Sequence, residues 1–244
     1  MNEWYKEWFD SEDYLLVYNH RDDQDAIKLT DLILRETGLP EGSSILDAAC
    51  GAGRHCRLFA QKGYKVEGFD LSKNLLSIAH KRAKEEKLEI KFRIGDIRSI
   101  IYETEFDLVT NLFTSFGYFD TDAENFSFVK NAFKFIKVGG YYAIDFLNKK
   151  YLEENLVSKS ENLMGSFPII EERVIENGRV NKIITLKKPG IDRKYTESVK
   201  LYTFEELLEK FNEIGFKFTK AFGNYDGEEF NINISPRAII IFRK

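Results

Sequence analysis

The chain of 244 residues contains only two cysteines, four prolines and three histidines. Cys50 and Cys56 are too few for a disulfide framework, and their spacing fits no zinc-binding pattern. No apolar run approaches the roughly 18 residues needed to cross a bilayer, and the charged, aromatic first residues do not resemble a signal peptide. We therefore expect a cytoplasmic protein in a reducing compartment, with no membrane partner and no metal site.

The chain also lacks a net positive charge. The chain has 36 basic and 40 acidic residues, a formal net charge of −4. This balance lacks the positive surface of general nucleic-acid binders, so we expect no nucleic-acid partner. The length and the 43% hydrophobic content fit a single globular domain, and the sequence leaves monomer and homodimer both open.

Short apolar strands alternate with amphipathic helices through the first two thirds of the chain. The strand patterns cover five segments: 44–49, 65–70, 90–94, 106–112 and 141–146. Alternation with short connections predicts an α/β fold with a doubly wound, Rossmann-like parallel sheet. Right-handed crossovers place the carboxyl ends of these strands at one edge, where ligands of such sheets bind.

The flanking segments follow other patterns. Strand patterns around the turn Asn177-Gly178 predict a small antiparallel sheet inserted after the fifth strand. A later helix and two strands are expected to complete a seven-stranded main sheet, with the last strand antiparallel. We divide the single domain, residues 1–244, into four segments: an N-terminal aromatic and helical arm at 1–38, a core at 39–147, an antiparallel β insertion at 165–202, and a closing helix and strand pair at 203–244.

The stretch SSILDAACGAGRH joins a buried strand to a helix and contains Gly51 and Gly53. Glycines at such a turn remove side chains, so that backbone N–H groups and the helix N-terminus can face a ligand. The spacing departs from the dinucleotide fingerprint, because Cys56 stands where a third glycine or alanine is expected. A plain strand-to-helix turn is the alternative interpretation.

Three carboxylates lie at or just beyond the carboxyl ends of the first three strands, at the same edge. Asp47 belongs to the glycine-containing stretch, and Asp70 ends the second strand 23 residues later. A carboxylate at the position of Asp70 can accept two ribose hydroxyls. Asp96, in Gly95-Asp96-Ile97, follows the third strand. Three acids repel a phosphate but suit a cationic ligand that contains a ribose and an amino-purine.

In this order, ILDAACGAGRH, VEGFDLS, GDI and FDLVTNLFTSFGYF resemble the motif series of class I S-adenosylmethionine-dependent methyltransferases. The resemblance covers about residues 40–147 and implies S-adenosyl-L-methionine as the cofactor of a cofactor-binding core. It implies contacts with the methionine part from Asp47, Ala49, Cys50, Gly51 and Gly53, with ribose and adenine from Asp70, Leu71, Ser72, Asp96 and Ile97, and with the region of the sulfonium from Asn111 and Leu112.

Methyl transfer from a sulfonium is an in-line displacement that depends on alignment and on exclusion of water. Tyr118, in LFTSFGYF, and Tyr18 and His20, in YNHRDD, are the candidate catalytic residues that would meet the acceptor. Arg21 is the candidate partner of the cofactor carboxylate. Packing, helix capping or a surface position is the alternative for each of them.

The fourth strand ends in NLFT, not in the Asn/Asp-Pro-Pro-Tyr pattern of methyltransferases that act on adenine or planar amides. We therefore expect a small-molecule acceptor, methylated on nitrogen or oxygen. The layout resembles small-molecule methyltransferases, including amino-sugar N-methyltransferases, although Tyr118 stands where a histidine is expected in the latter. The β insertion and loop 223–235 are expected to cover the acceptor, with Tyr151, Arg173, Arg193 and Tyr195.

Three alternatives to this function remain open. The acceptor could be a protein or an RNA, or the chain could be a non-catalytic module that binds S-adenosylmethionine. A nicotinamide-dependent oxidoreductase is disfavoured by Cys56 and by the acidic surroundings of the proposed pocket.

Overall fold

The computed structural model describes residues 3–18, 23–164, 167–188 and 190–244. Within these residues the strands are β1 (Ser44–Ala48), β2 (Lys65–Asp70), β3 (Ile90–Ile94), β4 (Phe106–Asn111), β5 (Ile136–Leu147), β6 (Lys159–Met164), β7 (Phe167–Glu176), β8 (Arg179–Lys188), β9 (Ile191–Lys200), β10 (Lys217–Phe222) and β11 (Arg237–Arg243). The helices are α1 (Trp4–Phe9), α2 (Glu12–Val17), α3 (Asp23–Thr37), α4 (Arg54–Gln61), α5 (Lys73–Glu85), α6 (Asp122–Asn125), α7 (Ser127–Phe135), α8 (Lys149–Asn155) and α9 (Phe204–Ile214).

The main sheet has seven strands in the order β10-β11-β5-β4-β1-β2-β3. The first five strands of the chain pair in parallel, whereas β11 runs antiparallel to both β5 and β10. This topology confirms the predicted Rossmann-like sheet with an antiparallel last strand. None of the described helices combines the length and apolar character that crossing a membrane requires.

Strand β1 lies in the middle of the sheet and is apolar on both faces. Ile45 and Leu46 point to opposite faces, and both are fully buried. The parallel register sets Ala48 beside Phe69 and Asp47 beside Thr110, so that β1, β2 and β4 end together. The connections that follow these strands therefore meet at one edge of the sheet.

The second sheet is antiparallel and has the order β6-β7-β8-β9. Its β7–β8 hairpin turns at Asn177 and Gly178, whose φ angles of 52° and 70° are those of a two-residue hairpin turn. An insertion after the fifth strand is thus confirmed, but the sheet starts at Lys159, six residues before the expected boundary at 165. The segment KSENLM carries no apolar alternation, so periodicity did not indicate a strand there.

The N-terminal helices α1 and α2 pack on the second sheet. Trp8 is buried among Ile184, Leu186 and the ring of Tyr195, whose centroid lies 4.3 Å from that of Trp8. The Trp8 indole N–H donates a hydrogen bond of 2.7 Å to the carboxylate of Glu197. Helices α1 and α2 of the arm therefore pack with the β insertion, whereas α3 packs on the main sheet beside α4.

Candidate active site

A cavity of about 1280 Å³ opens at the edge where the parallel strands end. Pockets for a single drug-sized ligand usually measure about 300–1,000 Å³, so this cavity has room for two ligands. Its walls come from the ends of the parallel strands, from helices α1 and α2, and from the second sheet. Among the predicted site residues, those that line the cavity are Tyr18, Asp47, Ala49, Cys50, Gly51, Asp70, Leu71, Asp96, Ile97, Leu112 and Tyr118.

The glycine turn is held in a left-handed conformation at Ala49 and Gly51, with φ angles of 52° and 55°. The Gly51 N–H donates to a carboxylate oxygen of Asp70 at 2.8 Å. Gly53, by contrast, is absent from the cavity lining: a Cβ there would lie 2.9 Å from the Cβ of Ala79. The missing side chain of Gly53 therefore allows close packing of the turn on α5, and the predicted contact of Gly53 with the cofactor stays a prediction.

Asp70 fastens the turn to the end of β2. Its carboxylate is 8% exposed and accepts hydrogen bonds from the N–H groups of Gly51 and Ser72, each at 2.8 Å. Burial raises the pKa of Asp70. An ionised carboxylate offers about four lone-pair sites, and the Leu71 N–H is a third backbone donor to Asp70. Asp70 can therefore keep these structural bonds and still accept a hydrogen bond from a ligand hydroxyl.

Ser72 does not line the cavity, which differs from its expected role as a cofactor contact. Its hydroxyl accepts a hydrogen bond from the Leu75 N–H at 3.1 Å and donates one to the Asp10 carboxylate at 2.8 Å. Ser72 therefore caps α5 and links it to the N-terminal arm.

Asp47 is a buried carboxylate at the wall of the cavity, only 2% exposed. It accepts hydrogen bonds from the Thr110 hydroxyl at 2.8 Å and from the Cys56 thiol at 3.4 Å. Burial raises the pKa of Asp47 to about 6, and the negative charge of Asp70 adds to the effect. A positively charged ligand group nearby would favour the ionised form, so this wall fits a cationic ligand.

Asp96 forms a two-pronged ion pair that the sequence did not indicate. Arg98 Nε lies 3.0 Å from one carboxylate oxygen of Asp96, and Arg98 Nη2 lies 2.6 Å from the other. The hydrogen bonds from Arg98 hold the pKa of Asp96 below its ordinary value. A purine amino group that bonds Asp96 would share this carboxylate with Arg98.

At the end of β4, Leu112 lines the cavity but Asn111 does not. The Asn111 side chain is fully buried, and its amide nitrogen donates to the Ala48 carbonyl oxygen at 3.3 Å. Its amide oxygen has no hydrogen-bond partner among the described residues. The structure thus shows Asn111 as a tie between β4 and β1, not as a group exposed to the cavity.

Two tyrosines predicted to meet the acceptor lie on the cavity wall. The ring centroid of Tyr118 lies 5.2 Å from that of Trp4 and 5.6 Å from that of Phe9. Tyr18 donates a hydrogen bond of 2.5 Å to Glu197 and accepts one of 2.5 Å from Lys182. The remaining two predicted residues of this region, His20 and Arg21, lie outside the described residues.

His55 lines the cavity in the first turn of α4 and is 6% exposed. Burial lowers its pKa to about 3, and the nearby positive charge of Arg54 contributes. His55 is therefore a neutral imidazole at pH 7. Its Nε2 atom has no hydrogen-bond partner among the described residues.

The residues expected to cover the acceptor differ in whether they line the cavity. Arg173 lines the cavity, and so does Tyr225 of the loop between β10 and β11. Arg193 and Tyr195 instead bind the buried carboxylate of Asp13, at 3.0 and 2.9 Å. Tyr151 is also absent from the cavity lining. Some lining residues have hydrogen-bond partners that the sequence did not indicate, because the partners are far away along the chain. Tyr18 bonds Glu197 and Lys182, and Tyr225 bonds Asp145.

Comparison with known proteins adds independent support for a family. A family model described as a methyltransferase domain matches residues 45–140. A curated relative from Streptomyces venezuelae, dTDP-3-amino-3,4,6-trideoxy-alpha-D-glucopyranose N,N-dimethyltransferase, is 31% identical over 121 residues, which cover 50% of this chain and 48% of the relative. The chain thus spans about half the length of the curated relative it matches.

Solved structures match over almost the whole chain. An S-adenosylmethionine-dependent methyltransferase from Clostridium acetobutylicum superposes with a TM-score of 0.81 at 18% identity, covering 95% of both chains. The CcbJ methyltransferase from Streptomyces caelestis gives a TM-score of 0.83 at 14% identity, covering 97% of both chains. At these identities the likeness concerns the fold. The chain thus has the fold of these methyltransferases, and its residues 45–140, which contain the motif series at the sheet edge, match the methyltransferase-domain model.

Proposed function

We propose that this chain transfers a methyl group from S-adenosyl-L-methionine to a small-molecule acceptor. The observation that carries the proposal is the convergence of Asp47, Asp70 and Asp96 with the glycine turn on one cavity large enough for two ligands. When bound, the cofactor supplies an electrophilic methyl group on a positively charged sulfur. The chain's own residues then have to hold the two ligands in line and keep water out.

The cofactor end of the cavity is proposed to use the three carboxylates differently. Asp70 would accept hydrogen bonds from the ribose, beside Leu71, through the lone-pair capacity that its backbone hydrogen bonds leave. Asp96 would accept from the adenine amino group, with Ile97 packed on the ring. Asp47 would face the positively charged part of the ligand, because its buried carboxyl gains most from a nearby cation.

The acceptor end is proposed to lie between Tyr118 and Tyr18, in the part of the cavity walled by helices α1 and α2 and the second sheet. Such aromatic walls exclude water and stabilise cations, by roughly 0.5–2 kcal/mol for each well-placed ring. His55 is a poor general base at pH 7, because its pKa of about 3 lies far from the working pH. This favours an amine, which needs little help from a base, over a hydroxyl. The curated relative named above is described as acting on an amino sugar.

The remaining expectations about partners and location stay proposals. We keep a small-molecule partner, no nucleic acid, and a monomer or homodimer. Both cysteines are free thiols, which fits the expected reducing, cytoplasmic compartment.

The test begins with binding. Calorimetry should show that the wild-type chain binds S-adenosylhomocysteine and does not bind NAD. Asp70→Asn should weaken S-adenosylhomocysteine binding at least about tenfold, because a charge-assisted hydrogen bond contributes about 1.5–3 kcal/mol. Asp192→Asn, at a surface ion pair with Lys187, is the matched control and should bind normally. Binding of NAD alone would overturn the proposal.

Turnover then separates an enzyme from a binding module. The wild-type chain should release S-adenosylhomocysteine when it is supplied with S-adenosylmethionine and a panel of primary and secondary amines that includes amino sugars. A matched panel of hydroxyl compounds tests oxygen as the acceptor. Tight cofactor binding with no turnover on either panel would instead favour the non-catalytic module.

A further inference from the structure

The residues that follow β4 lack regular secondary structure between positions 115 and 118. Tyr118 and Phe119 of this stretch nevertheless form part of the cavity wall. Outside helices and strands, backbone carbonyl groups are not bound by a regular hydrogen-bond ladder, so other donors have to bind them if the segment is to keep one conformation. Where these carbonyls find their donors therefore decides how well Tyr118 is positioned.

One guanidinium binds three successive carbonyls of this segment. Arg179 Nη1 donates to the Phe119 oxygen at 3.1 Å, and Arg179 Nη2 lies 3.3 Å from the Gly117 oxygen and 3.0 Å from the Tyr118 oxygen. The same side chain donates to the hydroxyl and the carbonyl oxygen of Ser198, at 2.8 and 3.0 Å. All five of these acceptors are uncharged oxygen atoms, spread over the plane of the guanidinium fork.

The position of Arg179 is set by the hairpin turn of the second sheet. It is the first residue of β8, directly after Asn177 and Gly178, both of which have positive φ angles. Strand β9 binds the same segment directly, because the Lys200 N–H donates to the Gly117 oxygen at 2.7 Å. A Cβ on Gly117 would lie 2.8 Å from the Lys200 carbonyl oxygen, so the segment lies directly against β9.

The second sheet also contributes to the cavity wall at Tyr18. Lys182, on β8, and Glu197, on β9, line the cavity and bind the Tyr18 hydroxyl. The sheet that carries Arg179 is thus in contact with both tyrosines proposed for the acceptor site. Its register across β8 and β9, with Arg179 opposite Lys200 and Lys182 opposite Glu197, fixes the distance between these two contacts.

We propose that Arg179 is a positioning residue of the acceptor site: its guanidinium locks the 117–119 segment to the second sheet and so orients Tyr118 at the cavity wall. This inference rests on the proposed function, because it assigns Tyr118 to the acceptor. Lysine keeps the charge at this position but has a single nitrogen, which cannot bind three carbonyls and Ser198 in one plane. The fork geometry, and not the charge alone, is therefore required.

The test compares Arg179→Lys with Arg243→Lys. Arg243 is a matched control because its guanidinium also binds a glycine carbonyl, that of Gly139 at 3.2 Å, but Gly139 does not line the cavity, whereas Arg179 binds the carbonyls of the lining residues Tyr118 and Phe119. We expect Arg179→Lys to lower kcat/KM for the acceptor at least about tenfold, since small misplacements of a site cost up to about 100-fold. Affinity for S-adenosylhomocysteine should stay within about twofold of wild type, and Arg243→Lys should resemble wild type throughout.

Hydrogen exchange supplies a readout that does not depend on activity. Amide exchange of peptides covering 115–121 should become faster in Arg179→Lys and stay unchanged in Arg243→Lys. Ser198→Ala is a milder second variant: it removes the hydroxyl that accepts from Arg179 and donates to Asn181 Oδ1 but leaves the carbonyl contacts of Arg179 in place, so it should give a smaller change in both readouts.

The outcomes separate the two proposals. Amide exchange that is faster in Arg179→Lys, together with a wild-type chain that turns over no acceptor, would support the contact of Arg179 with segment 117–119 and overturn the proposed function. Normal kcat/KM and normal exchange in Arg179→Lys, with an active wild-type chain, would overturn the positioning role. A loss of activity that merely tracks a lowered melting temperature, with cofactor affinity lost in parallel, would overturn it as well.

Discussion

The backbone N–H of Phe113 donates a hydrogen bond to the buried carboxylate of Asp145, 3.0 Å away. Phe113 and Thr114 have φ angles of 54° and 63°, and such left-handed conformations cost about 1–3 kcal/mol each for residues other than glycine. The Thr114 N–H bonds the Asp145 carbonyl oxygen at 3.1 Å, and Arg237 pairs with the carboxylate at 2.7 Å. A carboxylate at the end of β5 therefore stabilises a strained turn at the cavity wall.

We predict that Asp145→Asn lowers the free energy of unfolding by about 3–5 kcal/mol, because it leaves the charge of Arg237 without its buried partner. Urea denaturation at pH 7 measures this loss. Asp192→Asn breaks a surface pair, in which the side chains of Lys187 and Asp192 are 44% and 47% exposed, and should cost at most about 1 kcal/mol. Equal losses in the two variants would show that Asp145 does not hold the turn.

Replacement of Asp47 should change how stability depends on pH. Its pKa is raised from 3.8 to about 6 by burial, so the folded chain keeps a proton that the unfolded chain loses near pH 4. Between these values stability falls as pH rises. We predict that Asp47→Asn is more stable than wild type at pH 7, by up to about 3 kcal/mol, with little difference near pH 4. Urea denaturation between pH 4 and 7 measures this, and cofactor affinity should fall as stability rises.

Asp107 provides the control of opposite sign. Although burial opposes it, hydrogen bonds from Lys137 and Ser44 hold the pKa of Asp107 below its ordinary value. The ionised Asp107 carboxylate stabilises the folded chain at neutral pH, and this stabilisation is lost as pH falls through the lowered pKa. Asp107→Asn should therefore be less stable than wild type at pH 7, and the difference should narrow in acid. If the difference in unfolding free energy between Asp47→Asn and wild type did not change between pH 4 and 7, the raised pKa of Asp47 would be wrong.

The fold was predictable from the sequence because its signals are local. Alternating periods, cap residues and the turn Asn177-Gly178 each specify a few neighbouring residues, and together they predict the sheet. Asp47, Asp70 and Asp96 were predictable for the same reason, since each lies at or just beyond the carboxyl end of a strand and parallel strands end at one edge.

The rest of the site was not predictable because its contacts are non-local. Arg237 and Asp145 are separated by 92 positions, and Arg179 and Phe119 by 60. No spacing rule brings such pairs together. Gly53 shows a further limit: a glycine required for packing on Ala79 looks the same in the sequence as one required for a ligand.

The link between the N-terminal arm and α5 should control how fast the cofactor leaves. The Asp10 carboxylate accepts hydrogen bonds from the Ser72 hydroxyl at 2.8 Å and from the Asn74 N–H at 3.2 Å, in the first turn of the helix. Asp10→Ala removes both. We predict that dissociation of S-adenosylhomocysteine becomes about fivefold faster, the equivalent of about 1 kcal/mol for a lost hydrogen bond. Stopped-flow fluorescence measures the rate.

Asp10→Asn is the conservative comparison, because an amide oxygen can still accept from Ser72 or Asn74. It should fall between wild type and Asp10→Ala. An unchanged dissociation rate in Asp10→Ala would mean that the arm does not restrict the cofactor end of the cavity.

The ring and the hydroxyl of Tyr118 make separable contributions if the acceptor is an amine. The ring packs against Trp4 and Phe9, whereas a neutral amine needs little help from the hydroxyl as a base. We predict that Tyr118→Phe keeps kcat/KM within about fivefold of wild type, whereas Tyr118→Ala loses at least about 100-fold, because the chamber wall no longer aligns the acceptor. Steady-state kinetics on the best amine of the panel decides this. A loss in Tyr118→Phe as large as that in Tyr118→Ala, with a changed pH profile of kcat, would assign the proton transfer to Tyr118 and favour a hydroxyl acceptor.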